Sequence, residues 1–353
     1  MSGRHAVFDG HNDLLYKLWS AGDRKGEAFF AGRAGGHLDL ARCRAGGFAG
    51  GLFAIWVPQG GPMPDFTALP LETLPAFDPI EPADARRATL EMMAIAHRMA
   101  RARPADFRIC RTAGEIETAR AGGAVACVLH IEGAEAIGPG CDELEVLHAA
   151  GLRSLGPVWS RPNIFGTGVS FRFPGTPEEG PGLTEAGKRL VRACNRLGIV
   201  LDLSHLNAAG FRDVAALSDA PLVASHSNVH ALCPSPRNLT DWQLDAIRES
   251  GGLVGVNFAV GFLREDGRRE AGTPLSVIVA HLAHLVERLG ETGVALGSDF
   301  DGAEIPDALG DAAGLPRLVA EMEHAGFGAT LIERILWRNW VDLLERSLHP
   351  PRG

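Results

Sequence analysis

The chain has 353 residues, 46% of them hydrophobic and 22% charged, which is the balance of a soluble globular protein with material for a large core. Its 34 Lys+Arg against 43 Asp+Glu give a net charge of −9 with no basic stripe, so nucleic acid is excluded as an expected partner. No apolar stretch reaches the roughly 18 residues of a membrane span, and MSGRHAVFDG holds no apolar run of signal-peptide type, so the expected compartment is the cytoplasm, without membrane attachment. The six cysteines (Cys43, Cys110, Cys127, Cys141, Cys194, Cys233) form no CxxC pair and are expected as free, mostly buried thiols.

Taken in chain order, short apolar runs predict eight strands: Ala6–Phe8, Leu52–Val57, Ala124–Leu129, Leu152–Val158, Ile199–Leu203, Leu222–Ala224, Leu253–Asn257 and Val294–Leu296. Most are near-continuous apolar runs, as in parallel strands covered on both faces. Helical patterns lie between them. Leu90, Met93, Ala94 and His97 recur at i, i+3, i+4, i+7. Leu190, Val191, Cys194 and Leu197 make a similar stripe that Gly198 ends, and Thr240-Asp241-Trp242-Gln243 reads as a capping box. The Pro- and Gly-rich stretch Gln59–Pro82 reads as a long loop. No repeat or linker divides the chain, so one domain over 1–353 is expected, with a loop insertion near 59–82. Eight alternating units favour closure into a (β/α)8 TIM barrel, of the metal-dependent hydrolase type. The alternative is an open doubly wound sheet, but no GxGxxG follows the first strand.

Five of these strands run into residues with oxygen and nitrogen donors: Asp9-Gly10-His11-Asn12-Asp13, His130-Ile131-Glu132-Gly133, Asp202-Leu203-Ser204-His205, Ser225-His226-Ser227 and Ser298-Asp299-Phe300-Asp301. A single histidine past a strand is usually structural. Five such ends on one face of a barrel, the face that carries active sites, form a pattern. Zinc takes neutral imidazole and carboxylate oxygen and, in catalytic sites, leaves a position for water. Two zinc ions roughly 3.5 Å apart need a bridging carboxylate and share a water or hydroxide nucleophile. A further carboxylate must carry the proton from that water to the leaving amine.

These segments resemble the membrane (renal) dipeptidases, metallopeptidase family M19, of the amidohydrolase-like barrels. The resemblance runs through DGHND at 9–13, IEG at 131–133, NRLGIVLDLSH at 195–205, SHSNVHALCPSPRN at 225–238, VNF at 256–258, GSDFDG at 297–302 and RNW at 338–340. It implies that His11 and Asp13 bind one zinc, that His205 and His226 bind the other and that Glu132 bridges the two. It also implies Asp299 as general acid/base, Arg237 as partner of the substrate's terminal carboxylate, a dipeptide substrate and a homodimer. The lysine count agrees. Many related binuclear hydrolases use a carboxylated lysine as bridge after the fourth strand, whereas the only lysines here are Lys17, Lys25 and Lys188, none of them near Leu152–Val158. Glu132 is the natural substitute.

One departure concerns the substrate pocket. The family places a histidine after the fourth strand, and Trp159 occupies that position here. Indole has one N–H donor and no charge to offer an oxyanion. Asn163 or Arg161 is therefore expected to face the substrate in its place. The departure also keeps open a second substrate class on the same metal site, a cyclic amide, lactam or lactone. A non-catalytic metal-binding module is disfavoured because Asp299 is retained. His281 and His284 read as helix-surface residues, His230 and Cys233 as loop packing, and Asp202 as a structural carboxylate bonded to nearby backbone. His130 reads equally as a support for Glu132 or as core, and Asp301 as a support or a turn former.

Overall fold

The computed structural model describes residues 5–59, 72 and 77–350. Of the predicted Gln59–Pro82 loop, residues 60–71 and 73–76 lie outside the described residues. Among the described residues there are nine strands: β1 (Val7–Asn12), β2 (Phe48–Trp56), β3 (Phe107–Ile109), β4 (Val125–Glu132), β5 (Leu152–Gly156), β6 (Val200–Leu201), β7 (Val223–Ala224), β8 (Leu253–Val256) and β9 (Val294–Leu296). Apart from β3 they run round a parallel barrel in chain order, β6-β5-β4-β2-β1-β9-β8-β7. The ring meets itself where Asp202 bridges Val223 in parallel and Leu203 N–H donates to Val223 O at 2.7 Å. The eight predicted strands thus all exist, and the expected barrel is the observed one. No helix among the described residues is long and apolar enough to cross a membrane.

β3 is the strand the sequence did not reveal. It is three residues long, with only Phe107 buried, too short to show a period of two. It pairs with Val125–Cys127, while β5 pairs with Leu129–Glu132, so the two share one edge of β4. Strands at the site are longer than their apolar runs. β1 continues through His11 to Asn12 and β4 through His130 to Glu132, all buried. Polar residues that serve the site end the hydrophobic pattern before they end the strand.

The capping box at Thr240 and the left-handed Gly198 stop are both present. The Leu190 stripe is buried throughout. The helix Pro82–Ala102 corrects the other stripe: its buried face carries Ala85, Ala88, Met92, Ile95, Ala96 and Met99, and Leu90 is 58% exposed. Two overlapping 3.6-residue patterns were available there, and alanines make the true face look less apolar than it is. All six cysteines are buried and unpaired, as expected.

The lower end of the barrel is plugged. Phe8, Leu52, Ala126, Val128, Val200, Val223, Leu253 and Ala295 form one apolar cluster with Trp337, Trp340, Val341, Leu343 and Leu344. The RNW segment makes that plug polar-competent. Asn339 Nδ2 donates to Glu291 O and Val294 O at 2.7 Å each, and Trp340 Nε1 to Leu296 O at 2.8 Å. Trp340→Ala should therefore cost about 3–5 kcal/mol in urea unfolding, whereas Leu90→Ala on the exposed face should stay within about 0.5 kcal/mol.

Candidate metal centre and active site

At the upper end, the backbone first aims the ligands. The β1–β2 ladder slips between Asp9↔Gly51 and Asn12↔Phe53, so three steps on β1 face two on β2. Such a bulge re-aims side chains, and His11 lies within it. His205 (φ 69°), Asp299 (φ 59°) and Asp301 (φ 68°) take left-handed conformations that non-glycine residues adopt at a cost, a feature that concentrates at functional sites. Gly302 is needed beside them, because a Cβ there would collide with the carboxylates of both Asp13 and Asp299.

The side chains converge from five strand ends. His205 Nε2 and His226 Nε2 lie 2.8 and 3.3 Å from Glu132 Oε1 and 3.1 Å from each other. On the other side, His11 Nε2 lies 3.7 Å from Glu132 Oε2 and 3.4 Å from Asp13 Oδ2. The two oxygens of Glu132 thus face different histidines, Oε1 toward His205 and His226 and Oε2 toward His11. Donor atoms of His11, Glu132 and His226 fall within 4.8 Å of one another, as do those of His11, Asp13 and Asp299. Both ring nitrogens of His11 are buried without a hydrogen-bond partner, an arrangement that costs free energy unless something else binds them. Imidazole nitrogens and carboxylate oxygens converging in this way fit a borderline divalent cation such as zinc.

Neighbours set the tautomers. Ser225 Oγ donates to Asp202 Oδ2 at 2.5 Å, so it accepts from His226 Nδ1 at 2.7 Å and leaves the Nε2 lone pair toward Glu132. His205 Nδ1 pairs with Ser160 Oγ at 2.7 Å. Burial first, then surrounding positive charge, holds His205 and His226 well below the usual imidazole range, hence neutral. Asp202 is structural as expected, also accepting from Ser204 and Ser225 N–H. Burial raises Asp299, and Asn257 Nδ2 donates to its Oδ2 at 3.0 Å. Asn257, in the VNF segment past β8, is a site residue that sequence reasoning missed; its place just beyond a strand end was the available signal.

His130 takes its expected place in the core and contacts His11 rather than Glu132. It is fully buried, its Nδ1 pairs with Ser154 Oγ at 2.9 Å, and its ring packs edge-on to His11 at 5.6 Å. Asp301 does more than form a turn: it accepts from His37 N–H at 2.7 Å and Arg33 Nη1 at 2.6 Å. His230 packs in its loop against Gly175 O. His281 corrects the surface reading. It is buried, and its ring bonds Val229 N–H at 3.1 Å and Leu263 O at 2.9 Å.

A cavity of about 530 Å³ opens over the cluster, a size suited to a small ligand. Asp13, Glu132, His205, His226, Asp299 and Trp159 line it. Trp159 packs 5.8 Å from the His205 ring and against Trp56, Phe77 and Phe171. Arg237 is 3% exposed beside the cluster, donating to Ser227 Oγ and His226 O, with its Nε unpartnered.

Two expected substrate contacts are corrected. Asn163 does not border the cavity: its Nδ2 donates to Pro157 O at 2.8 Å and its Oδ1 accepts from Phe165 N–H at 2.8 Å, so both ends are used within its own loop. Arg161 is buried behind the wall, paired with Glu135 at 2.7 Å and Val57 O at 2.8 Å, with its guanidinium 5.0 Å from the Trp159 ring centroid.

Burial alone would lower His11, but the carboxylates of Glu132, Asp13 and Asp299 push it up to about 10. Burial raises Glu132 to about 8. Protons and a cation compete for these donors, so metal affinity should fall as pH falls. Loading the apoprotein with zinc at pH 7 should release protons, measured by calorimetry in buffers of different ionisation enthalpy. Metal uptake without proton release would overturn this ligand assignment.

The membrane dipeptidase model, peptidase family M19, matches residues 1–347. A metallopeptidase from Rhodobacter sphaeroides, solved with a phosphinate mimic of the dipeptide L-Ala-D-Ala, is 52% identical, with a TM-score of 0.95 over 98% of this chain and 99% of that one. A Klebsiella pneumoniae protein known only as uncharacterized, in the pqqA 5′ region, is 49% identical over 268 residues, 76% of this chain and 97% of that relative. The probable dipeptidase PvdM from Pseudomonas aeruginosa shares the fold, with a TM-score of 0.79 at 22% identity over 98% of this chain and 96% of that one. The chain belongs to the membrane dipeptidase family, peptidase family M19, and is a metal-dependent dipeptidase.

Proposed function

We propose that the enzyme is a binuclear zinc dipeptidase that hydrolyses dipeptides, including those with a D-residue at the C-terminus. The observation that carries this reading is the division of Glu132, with Oε1 beside His205 and His226 and Oε2 toward His11, which in turn neighbours Asp13. His11 and Asp13 would hold one ion, His205 and His226 the second, and Glu132 would contribute an oxygen to each. Bound zinc supplies a water nucleophile at neutral pH and polarises the scissile carbonyl.

The protein's own groups do the rest. Asp299 lies within 4.8 Å of His11 and Asp13 donor atoms, placed to accept the proton lost by the attacking water and return it to the leaving amine nitrogen. Asn257 holds one oxygen of Asp299, leaving the other for the proton. The raised pKa of Asp299 strengthens it as a base. Arg237, fixed by Ser227 and the His226 carbonyl, offers a guanidinium to the terminal carboxylate of the substrate. Trp159 shapes the wall over His205 and contributes apolar surface. The L-Ala-D-Ala mimic bound by the Rhodobacter sphaeroides relative supports the tolerance of a D-residue.

The zinc-loaded enzyme should turn over L-Ala-D-Ala and L-Ala-L-Ala in a coupled amino-acid assay. A lactam and lactone panel with no dipeptide turnover would overturn the reading. Asp299→Asn should keep its zinc in elemental analysis and lose at least about 100-fold in kcat. Arg237→Met should raise KM for free dipeptides far more than for dipeptide amides, which lack the carboxylate.

A further inference from the structure

Lys17 is one of three lysines in the chain, and it borders the active-site cavity. It lies on the helix Leu14–Ser20, which begins directly after Asp13. The side chain is half-buried beside Tyr16, its Nζ 5.8 Å from the ring centroid, and no carboxylate pairs with it among the described residues. The other charges of the cavity are answered. Asp13, Glu132 and Asp299 face the metal cluster. Asp301 is paired with Arg33 at 2.6 Å. Glu304 stabilises the charge of Arg269. Lys17 is the remaining positive charge.

His37 adds a directed donor next to it. His37 Nδ1 accepts the Asp301 backbone N–H at 2.8 Å, while Asp301 accepts the His37 N–H at 2.7 Å. A ring nitrogen that accepts carries no hydrogen, so in the neutral ring the hydrogen is on Nε2. Burial first, with Lys17 acting in the same direction, keeps His37 below the usual imidazole range and therefore neutral. Its Nε2–H has no hydrogen-bond partner among the described residues, and the ring borders the same cavity. An ammonium and a fixed N–H in one wall form a receptor for a carboxylate.

The location says which end of a dipeptide reaches it. Arg237 is anchored to the carbonyl of His226, on one side of Glu132. Lys17 lies on the helix that follows Asp13, at a different strand end. With the terminal carboxylate at Arg237 and the scissile amide over Glu132, the N-terminal residue points toward Lys17. We infer that Lys17 and His37 form a subsite for an acidic side chain on the N-terminal residue, which makes Glu-X and Asp-X dipeptides the favoured substrate class. This inference rests on the dipeptidase reading above.

The test compares L-Glu-D-Ala with L-Gln-D-Ala, which differ in charge but scarcely in shape. The zinc-loaded enzyme should favour L-Glu-D-Ala about tenfold in kcat/KM, and Lys17→Met should bring that ratio to about one. A wild-type ratio of one or below, or a preference that survives Lys17→Met, overturns the subsite. A preference for L-Ala-D-Glu over L-Ala-D-Gln with none at the N-terminal residue overturns the assigned end. Calorimetry with zinc-loaded Asp299→Asn reads binding without turnover. It should show tighter binding of L-Glu-D-Ala than of L-Gln-D-Ala, and equal binding when Lys17→Met is added. Absence of turnover with every dipeptide sinks the dipeptidase reading, while the calorimetric difference decides the subsite separately.

Discussion

The Glu132 carboxylate is the group around which the upper half of the barrel is arranged. Its two oxygens face different donors, Oε1 toward His205 and His226 and Oε2 toward His11, which neighbours Asp13. Three carboxylates and three imidazoles packed this tightly away from water repel one another and lack solvation. Burial raises Glu132, and the neighbouring carboxylates raise His11 against its own burial, so protons compete with a cation for these donors. Surrounding bonds hold the donors in place against this repulsion. Ser225 and Asp202 fix His226, Ser160 fixes His205 and Asn257 fixes Asp299. The same low dielectric that makes the empty cluster unfavourable strengthens every interaction with a bound ion.

The two ends of the barrel divide the work. The lower end is an apolar plug in which Trp337 and Trp340 close over one layer of strand side chains. The upper end stores strain, with His205, Asp299 and Asp301 in left-handed conformations and a slip in the β1 ladder at His11. This division is common in barrels, where one face carries stability and the other chemistry. It also explains why the RNW segment, prominent in the sequence, touches no ligand. Asn339 and Trp340 satisfy strand carbonyls at the bottom of the structure.

The cavity wall shows how a residue can shape a site without touching its contents. Arg161 is buried behind Trp159, with its charge met by Glu135 and its plane near the indole. It supports an aromatic surface over His205. Lys17, Arg33 and His37 border the same cavity and give part of its lining a polar, cationic character beside the aromatic one.

Much of this was legible in the sequence alone. Chemistry-bearing residues follow apolar runs at regular intervals, so the eight barrel strands and the convergence of His11, Asp13, Glu132, His205 and His226 at one end could be read from local pattern and residue type, while their expected roles as ligands came from the family resemblance. The absence of a lysine after β5 pointed to Glu132 as the bridge for the same local reason. What depended on contacts between distant segments could not be read. β3 is too short for a period, and its pairing is with β4. Leu90 and the buried face of its helix differ by a rotation that only packing selects. Asn163 and Arg161 are equally plausible donors in sequence, and only the folded loop shows that one is spent on Pro157 and Phe165 and the other on Glu135 and Val57. Asn257 reaches Asp299 across 42 residues of chain. Residue type and strand periodicity are local properties that the sequence carries. The direction in which a side chain points, and the partner it uses, are decided when the ring closes and brings those segments together.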